Sequence, residues 1–544
     1  MSDTSLHGEE SDTFWAPGTV RLEHVHRSNT ELVLHPVPTD DPDDPLNWGT
    51  ARKTVNFGLV CFYVLWTFVQ LDIGFTAWGP LQQELGLSVD QLNSGAAVNY
   101  AGLAVGCVLF IPFVHKYGRR PLYLSSSAVQ LASVVWQGKA NTFGDLLGSN
   151  IVSGLGGAIS ETVVQITIAD VFFVHQHGTM NGWYLMFTSA GAFLGPVASG
   201  FVVESQGWRW MWWWCVIFMA VNLVLVAFLF EESKYIPVVN GRRVPQLSGT
   251  NTAGIDDELP KFAKNADKNE RASLERTTST ITTAAKRKTY RERLALVTPS
   301  GGSITHHFSQ PLVVMAFFPA VAYTALTYGI ALASFAIMTS VQAVYLLQPP
   351  YKFGAVGVGL MNIAPFIGAC LGFFVGGHIS DKSIIWLSKR NRGVYEPEMR
   401  MWLAFIATLL LPAGILVFGL GLARGAHWPI LALGFGIFGF GFVIATDISL
   451  TYTTDCYQEV IGDALVGVVF VRNVFSVIVL FALTPWINRM GVQNVHILTA
   501  TIVLAVLLLP APLLVWGKKI RIATAKRYRD MAMRQPTHRT LGEH

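Results

Sequence analysis

Charge is scarce in this sequence: Asp, Glu, Lys and Arg supply 14% of its 544 residues, against roughly 25% in a soluble domain. With 51% hydrophobic residues and a mean hydropathy of +0.41, the chain has too little polar surface to cover itself in water. Cysteine is sparse as well. Cys61, Cys107, Cys215, Cys370 and Cys456 lie in or at the ends of apolar runs without paired spacing, which argues against a disulfide or metal framework. No Asn-x-Ser/Thr sequon occurs. There is no P-loop, so ATP hydrolysis is not expected to drive anything here, and neither a nucleophile elbow nor metal-ligand spacing is present. An enzyme is not expected, nor a resident cofactor.

What the sequence does have is long apolar runs, each able to cross a hydrocarbon core of roughly 30 Å. Twelve can be drawn: 54–77, 92–113, 121–138, 146–171, 180–203 and 211–230, then 311–343, 354–378, 400–422, 429–453, 462–485 and 493–516. The expected fold is an all-α membrane protein of twelve transmembrane helices in two pseudo-symmetric six-helix bundles. The expected division is a cytoplasmic segment 1–53, a bundle 54–230, a largely disordered linker 231–308, a second bundle 309–516 and a basic tail 517–544. The polar start 1–53 holds no signal-peptide core. Of the 39 Lys and Arg, 33 fall in the ends and loops on one side, 5 on the other, and Arg472 alone inside a span. That bias puts both termini and the linker in the cytoplasm. The basic stretch KKIRIATAKRYR (518–529) then reads as a membrane-side anchor rather than a nucleic-acid patch, and the net charge of +4 needs only anionic lipid as a partner.

Four stretches carry a family resemblance: DDPDDPLNW (40–48), KYGRRPLY (116–123), GAFLGPVASG (191–200) and GWRWMWW (207–213). They resemble the major facilitator superfamily, and within it fungal members related to the twelve-helix drug:proton antiporters. The loop motif of that family opens Gly-x-x-x-Asp, where this chain has Ile111 and His115; a second copy keeps Gly377, Asp381 and Lys382. Asn150 stands where the fourth-helix motif has Arg. Glu161, Asp170 and Gly178 are spaced much like Asp447, Asp455 and Gly462, an echo of internal duplication.

GAFLGPVASG puts three glycines and a proline inside a helix, at costs in water of about 1 and 3 kcal/mol per residue. In a bilayer, glycines four apart let helices approach closely, and neighbours satisfy the carbonyl that a proline frees. The resemblance implies that Gly191, Gly195, Pro196 and Gly200 form a hinge and seal against the eighth helix, whose GACLG (368–372) is also small, and that transport is antiport. The alternative is a packing face with no say in direction. For Gly118, Arg119 and Arg120 the resemblance implies a gating relay to carboxylates of the other half, with Asp381 and Lys382 as its second copy. The simpler reading is charge anchoring.

Ionisable groups inside a membrane are costly and are functional hypotheses by default. Glu161 near the middle of the fourth span, Asp72 toward the outer end of the first and Asp447 in the inner third of the tenth are candidate substrate or proton sites. The resemblance places all three helices around the central cavity. Arg472 lies at a depth close to that of Asp447, so a structural or gating ion pair between them is expected. Tyr323 is the candidate aromatic substrate contact. His175 and His177 read as loop residues rather than a metal site, and the cluster RTTST (276–280) as a phosphorylatable or merely disordered stretch.

The expected function is a proton-coupled secondary transporter that exports an organic small molecule, a drug or secondary metabolite, by alternating access. It is expected at the plasma membrane and as a monomer. Two alternatives stay open: proton-coupled import of an organic cation such as a polyamine, and a nutrient sensor that uses the fold without net transport.

Overall fold

Among the described residues, ten stretches of helix are apolar and long enough to cross a bilayer, and the last of them runs from Ile461 to Met531. It is broken at Gly491, where φ is 76°. The break divides it into two spans. A further helix, Arg120–Gly138, has four serines and two glutamines that hold its hydropathy down. With these, the described residues contain the twelve expected spans. The computed structural model describes residues 16–21, 41, 43–235, 238–239, 242–243, 289–298, 306–391, 394–457 and 460–532. Most of the expected linker, including 276–280, lies outside the described residues, as do the side chains of His115, His175, His177 and Asp381.

The first half comprises α1 (Thr50–Asp72), α2 (Val89–Tyr117), α3 (Arg120–Gly138), α4 (Phe143–Val171), α5 and α6 (Trp208–Leu229). Capping boxes start two of them: Ser88 with Gln91 for α2, and Thr142 with Asp145 for α4. The second half comprises α7 (Pro319–Tyr345), α8, α9 (Met401–Ala423), α10 (Trp428–Cys456), and α11 and α12 on either side of Gly491. Helix α8 is built from Ala355–Leu360, Ile363–Phe374, a π turn Val375–Ile379 and Ser380–Arg390. In the first half α2 packs on α4 and α3 on α6; in the second α8 packs on α10 and α9 on α12. The duplication echoed in the sequence is therefore repeated in the packing.

The GAFLGPVASG segment resolves by leaving α-geometry. Helix α5 runs Val174–Ser189, widens into a π turn at Ala190–Leu194, and restarts as Gly195–Gln206 with Pro196 in its first turn. The helix runs on without a break, and the widening of the π turn directly before Pro196 accommodates a ring that an α-helix interior would clash with. The glycines serve two neighbours. A Cβ on Gly191 would lie 2.6 Å from the Leu65 carbonyl oxygen, and one on Gly195 3.2 Å from Val69 Cα, both on α1. One on Gly200 would lie 2.7 Å from the Ala355 carbonyl, and Gly359 approaches the Pro196 carbonyl as closely. The glycine contacts with α8 lie at the Pro196–Gly200 end, against Ala355–Gly359, while the π turn and the segment before it also pack on Ile363–Phe374 of α8. The expected partner GACLG packs elsewhere: Gly368 and Gly372 face Gly436 and Phe440 of α10.

The halves meet along α2–α11 and α5–α8. The face that carries both ends of the described chain is termed here the terminal face. At the opposite face Asn93 Nδ2 donates to Thr484 Oγ1 at 3.0 Å, Ser340 donates to Asn93, and Phe193 meets Phe335 edge-on at 5.5 Å.

Replacing Gly191 by Ala forces a Cβ into the α1 backbone. The substitution is expected to destabilise the protein by about 1–3 kcal/mol in thermal denaturation of the purified chain. Gly58→Ala, where nothing lies within 4 Å, should leave the melting temperature unchanged.

Candidate functional site

Helix α4 is buried along most of its length because small residues let its neighbours close in. Gly154 accepts the backbone of α2 at Asn99, and Gly156 accepts Gln130 of α3. This packing holds Glu161 in the protein interior, 5% exposed. Its carboxylate forms an ion pair with Arg472 of α11, across the boundary between the halves. Asn473 Nδ2 donates to the other carboxylate oxygen at 3.0 Å. The Arg472 guanidinium lies 6.0 Å from the ring centre of Tyr328 on α7. A buried charge left unpaired would cost several kcal/mol, so each partner fixes the other.

Around this pair lie Tyr63 of α1, Tyr100 and Cys107 of α2 and Tyr184 of α5, all within electrostatic reach of Glu161. Asp72, the last residue of α1, is also within reach and is 4% exposed. Its carboxylate makes no hydrogen bond or ion pair with another described residue. Asp447 of α10 is half-buried and faces the π turn of α8, with Oδ2 2.7 Å from where a Cβ on Gly376 would sit. Asn150, at the position where the family motif has Arg, accepts a hydrogen bond from Gln137 Nε2 at 3.0 Å. Among the described residues no three His, Cys, Asp or Glu side chains converge as metal ligands would.

Three sequence expectations are corrected. The ion pair of Arg472 is with Glu161, not with Asp447. Tyr323 packs in a separate core cluster with Phe318 and Tyr457, edge-on to Tyr452 at 6.3 Å. Tyr328 is the tyrosine beside Arg472; five residues rotate a side chain about 140° around a helix, so the two cannot share a face. The third correction concerns the α2–α3 turn. Gly118 has φ 108° and abuts Glu232, whose oxygens accept the backbone N–H groups of Arg119 at 2.9 Å and Arg120 at 3.1 Å. Arg119 pairs with Asp170 of α4 at 2.8 Å, while Arg120 donates to the carbonyls of Ala227 and Leu294. The described partners of these arginines lie in the first half and at the two ends of the linker, Glu232 and Leu294, not in the second half. Lys234 Nζ donates to the carbonyls of Lys116 and Thr298, and burial, reinforced by Arg119, lowers its pKa to about 8.

The second half repeats the device. Arg400, just ahead of α9, pairs with Asp455 at the end of α10 at 2.6 Å, as Arg119 ahead of α3 pairs with Asp170 at the end of α4. Lys382 is exposed on a helix that continues without a turn. In the basic tail, Arg521 is bidentate to Glu398 at 2.8 and 2.6 Å, and Lys518 pairs with Glu396 at 2.6 Å. Sequence reasoning missed Tyr100, Tyr184, Asn473 and Glu232. Asn473 carried a signal, being polar and adjacent to Arg472 inside an apolar run. Glu232 also did, as part of an acidic pair directly after α6.

Arg472→Met is expected to destabilise the protein by about 3–5 kcal/mol by stranding Glu161, and Arg472→Met with Glu161→Gln to recover most of that loss. Thermal unfolding of both single variants and the double variant measures the coupling.

The family model described as Major Facilitator Superfamily matches residues 55–478. An uncharacterized MFS-type transporter of Schizosaccharomyces pombe is 30% identical, with 94% of each chain covered. The protein HOL1 of Saccharomyces cerevisiae is 28% identical, again over 94% of each chain. The efflux pump radE of Floropilus chiversii is 24% identical over 96% of this chain and 90% of its own. Among solved structures, the xylose transporter XylE of E. coli in a partially occluded inward-open conformation superposes with a TM-score of 0.56 at 14% identity, covering 85% of this chain and 97% of that one. The chain is a member of the Major Facilitator Superfamily, a secondary transporter and not an enzyme.

Proposed function

We propose that this transporter exports an organic small molecule in exchange for protons, from a plasma membrane in which both termini face the cytoplasm. The observation that carries the reading is the Glu161–Arg472 ion pair joining the halves inside the membrane. Protonating Glu161 removes one charge of the pair, which lowers the cost of parting the halves there. A cationic or polar group of the substrate can then take over one side of the broken pair. Proton and substrate thus compete for one carboxylate, which is the linkage that exchange needs. The π turn and proline of α5 lie where α1 and α8 both meet it, and supply a place for the halves to rock. The efflux-pump name of one relative agrees with the outward direction.

Asp72 favours a second reading, import of an organic cation such as a polyamine. A buried carboxylate without a partner among the described residues is a place for a positive charge.

Purified protein in liposomes at zero membrane potential separates the two. Export by exchange expects an acid interior to drive uptake of labelled tetraphenylphosphonium. Glu161→Gln should lose that gradient-driven uptake while retaining counterflow. Import by symport expects an acid exterior to drive accumulation of labelled spermidine instead. If neither cation responds to either gradient in the wild type, proton coupling of organic cations is rejected.

A further inference from the structure

A second recognition site lies wholly within the first half, at the face opposite the termini, between the ends of α1, α2, α3 and α4. Its walls are Trp78, Trp208 and Trp212, with Leu81 and Leu92 beside them. Trp208 is held in place by its indole N–H, which donates to Glu84 Oε2 at 2.5 Å. None of the lining side chains is charged. A run of three amides crosses the lining. Gln70 Nε2 donates to Gln137 Oε1 at 3.3 Å and to Ser133 Oγ at 2.8 Å, and Gln137 Nε2 donates to Asn150 Oδ1 at 3.0 Å.

The direction of this run leaves its two ends open. Every bond passes from an NH2 to the next oxygen, so Gln70 Oε1 remains as an acceptor and Asn150 Nδ2 as a donor. Among the described residues, no group donates to the first or accepts from the second. Gln70 and Gln137 are each 2% exposed and Asn150 is partly buried, so the run is fixed within the first half while its open ends line the pocket. The Gln137 carboxamide bridges the other two amides. The two open ends, an acceptor on Gln70 and a donor on Asn150, are the chemical complement of a carboxamide's N–H and C=O.

We propose that this pocket binds a neutral, flat organic molecule carrying a carboxamide or lactam group, with its ring between the tryptophans. The site is separate from the central acids. Tyr100 is the wall between them, lining the pocket while lying within electrostatic reach of Asp72 and Glu161.

The test is equilibrium dialysis of tritiated benzamide against the full chain in lipid nanodiscs. Saturable binding at one site per chain is expected. Asn150→Asp keeps the shape and the bond from Gln137 but removes the donor, and should weaken binding at least about tenfold. Acetophenone, which lacks the N–H, and benzoate, which is charged, should compete at least about tenfold less well. Glu161→Gln and Asp72→Asn should leave benzamide binding unchanged. If Asn150→Asp does not purify folded, Asn150→Ser takes its place. The proposal is overturned by the absence of saturable binding, by equal competition from acetophenone, or by loss of binding in the Glu161 or Asp72 variant with retention in Asn150→Asp.

Discussion

A charge inside a bilayer must find its counter-charge within the protein, and in this chain the constraint falls on Glu161 and Arg472. Glu161 is buried and Arg472 largely so, one in each half, and each would be strongly destabilising alone. Their pairing carries opposite charges across the boundary between the halves. Asn473 holds the second oxygen, and the tyrosines of α1, α2, α5 and α7 surround the pair. Elsewhere along the boundary the described contacts are close packing, neutral hydrogen bonds such as Asn93 with Thr484, and the Glu204 carboxylate of α5 accepting the Val356 N–H of α8 at 3.3 Å.

The halves themselves are held differently. At the terminal face each has its own clasp: Arg119 with Asp170 in the first, Arg400 with Asp455 in the second. Because the described clasps are internal to a half, they stiffen each bundle as a body rather than tying the two together. Residues 16–21 reinforce the second half, pairing Val20–Arg21 with Val394–Tyr395 and accepting a bond from Arg521 at the Pro17 carbonyl. Halves stiffened in this way suit a rocking motion better than bundles tied to each other by many ion pairs.

Much of the architecture was legible in the sequence, because apolar length and the two periodic halves follow from the bilayer alone. The depth of charged residues was legible too, but not their partners. Arg472 lies eleven residues into α11, Asp447 nine from the end of α10 and Glu161 ten from the end of α4, so a rise of 1.5 Å per residue puts all three within roughly 3 Å in depth. Depth could not choose between the acids; lateral neighbourhood did, and it is set by how helices pack around one another. The same limit applies to Tyr323 and Tyr328, whose difference is one of rotation about α7. It applies also to Gly191 and Gly195, which were expected against α8 and lie against α1. The glycines announced a close approach without naming the neighbour.

The central claim is that protonating Glu161 releases the halves from each other. Pulsed electron resonance between spin labels at Thr50 and Lys519, in a chain with its native cysteines substituted, reads the distance between the halves at the terminal face as pH falls. The account expects a single distance population at alkaline pH and a second one growing as pH is lowered, with Glu161→Gln showing the second population at every pH. An identical pH response in the wild type and Glu161→Gln would contradict it.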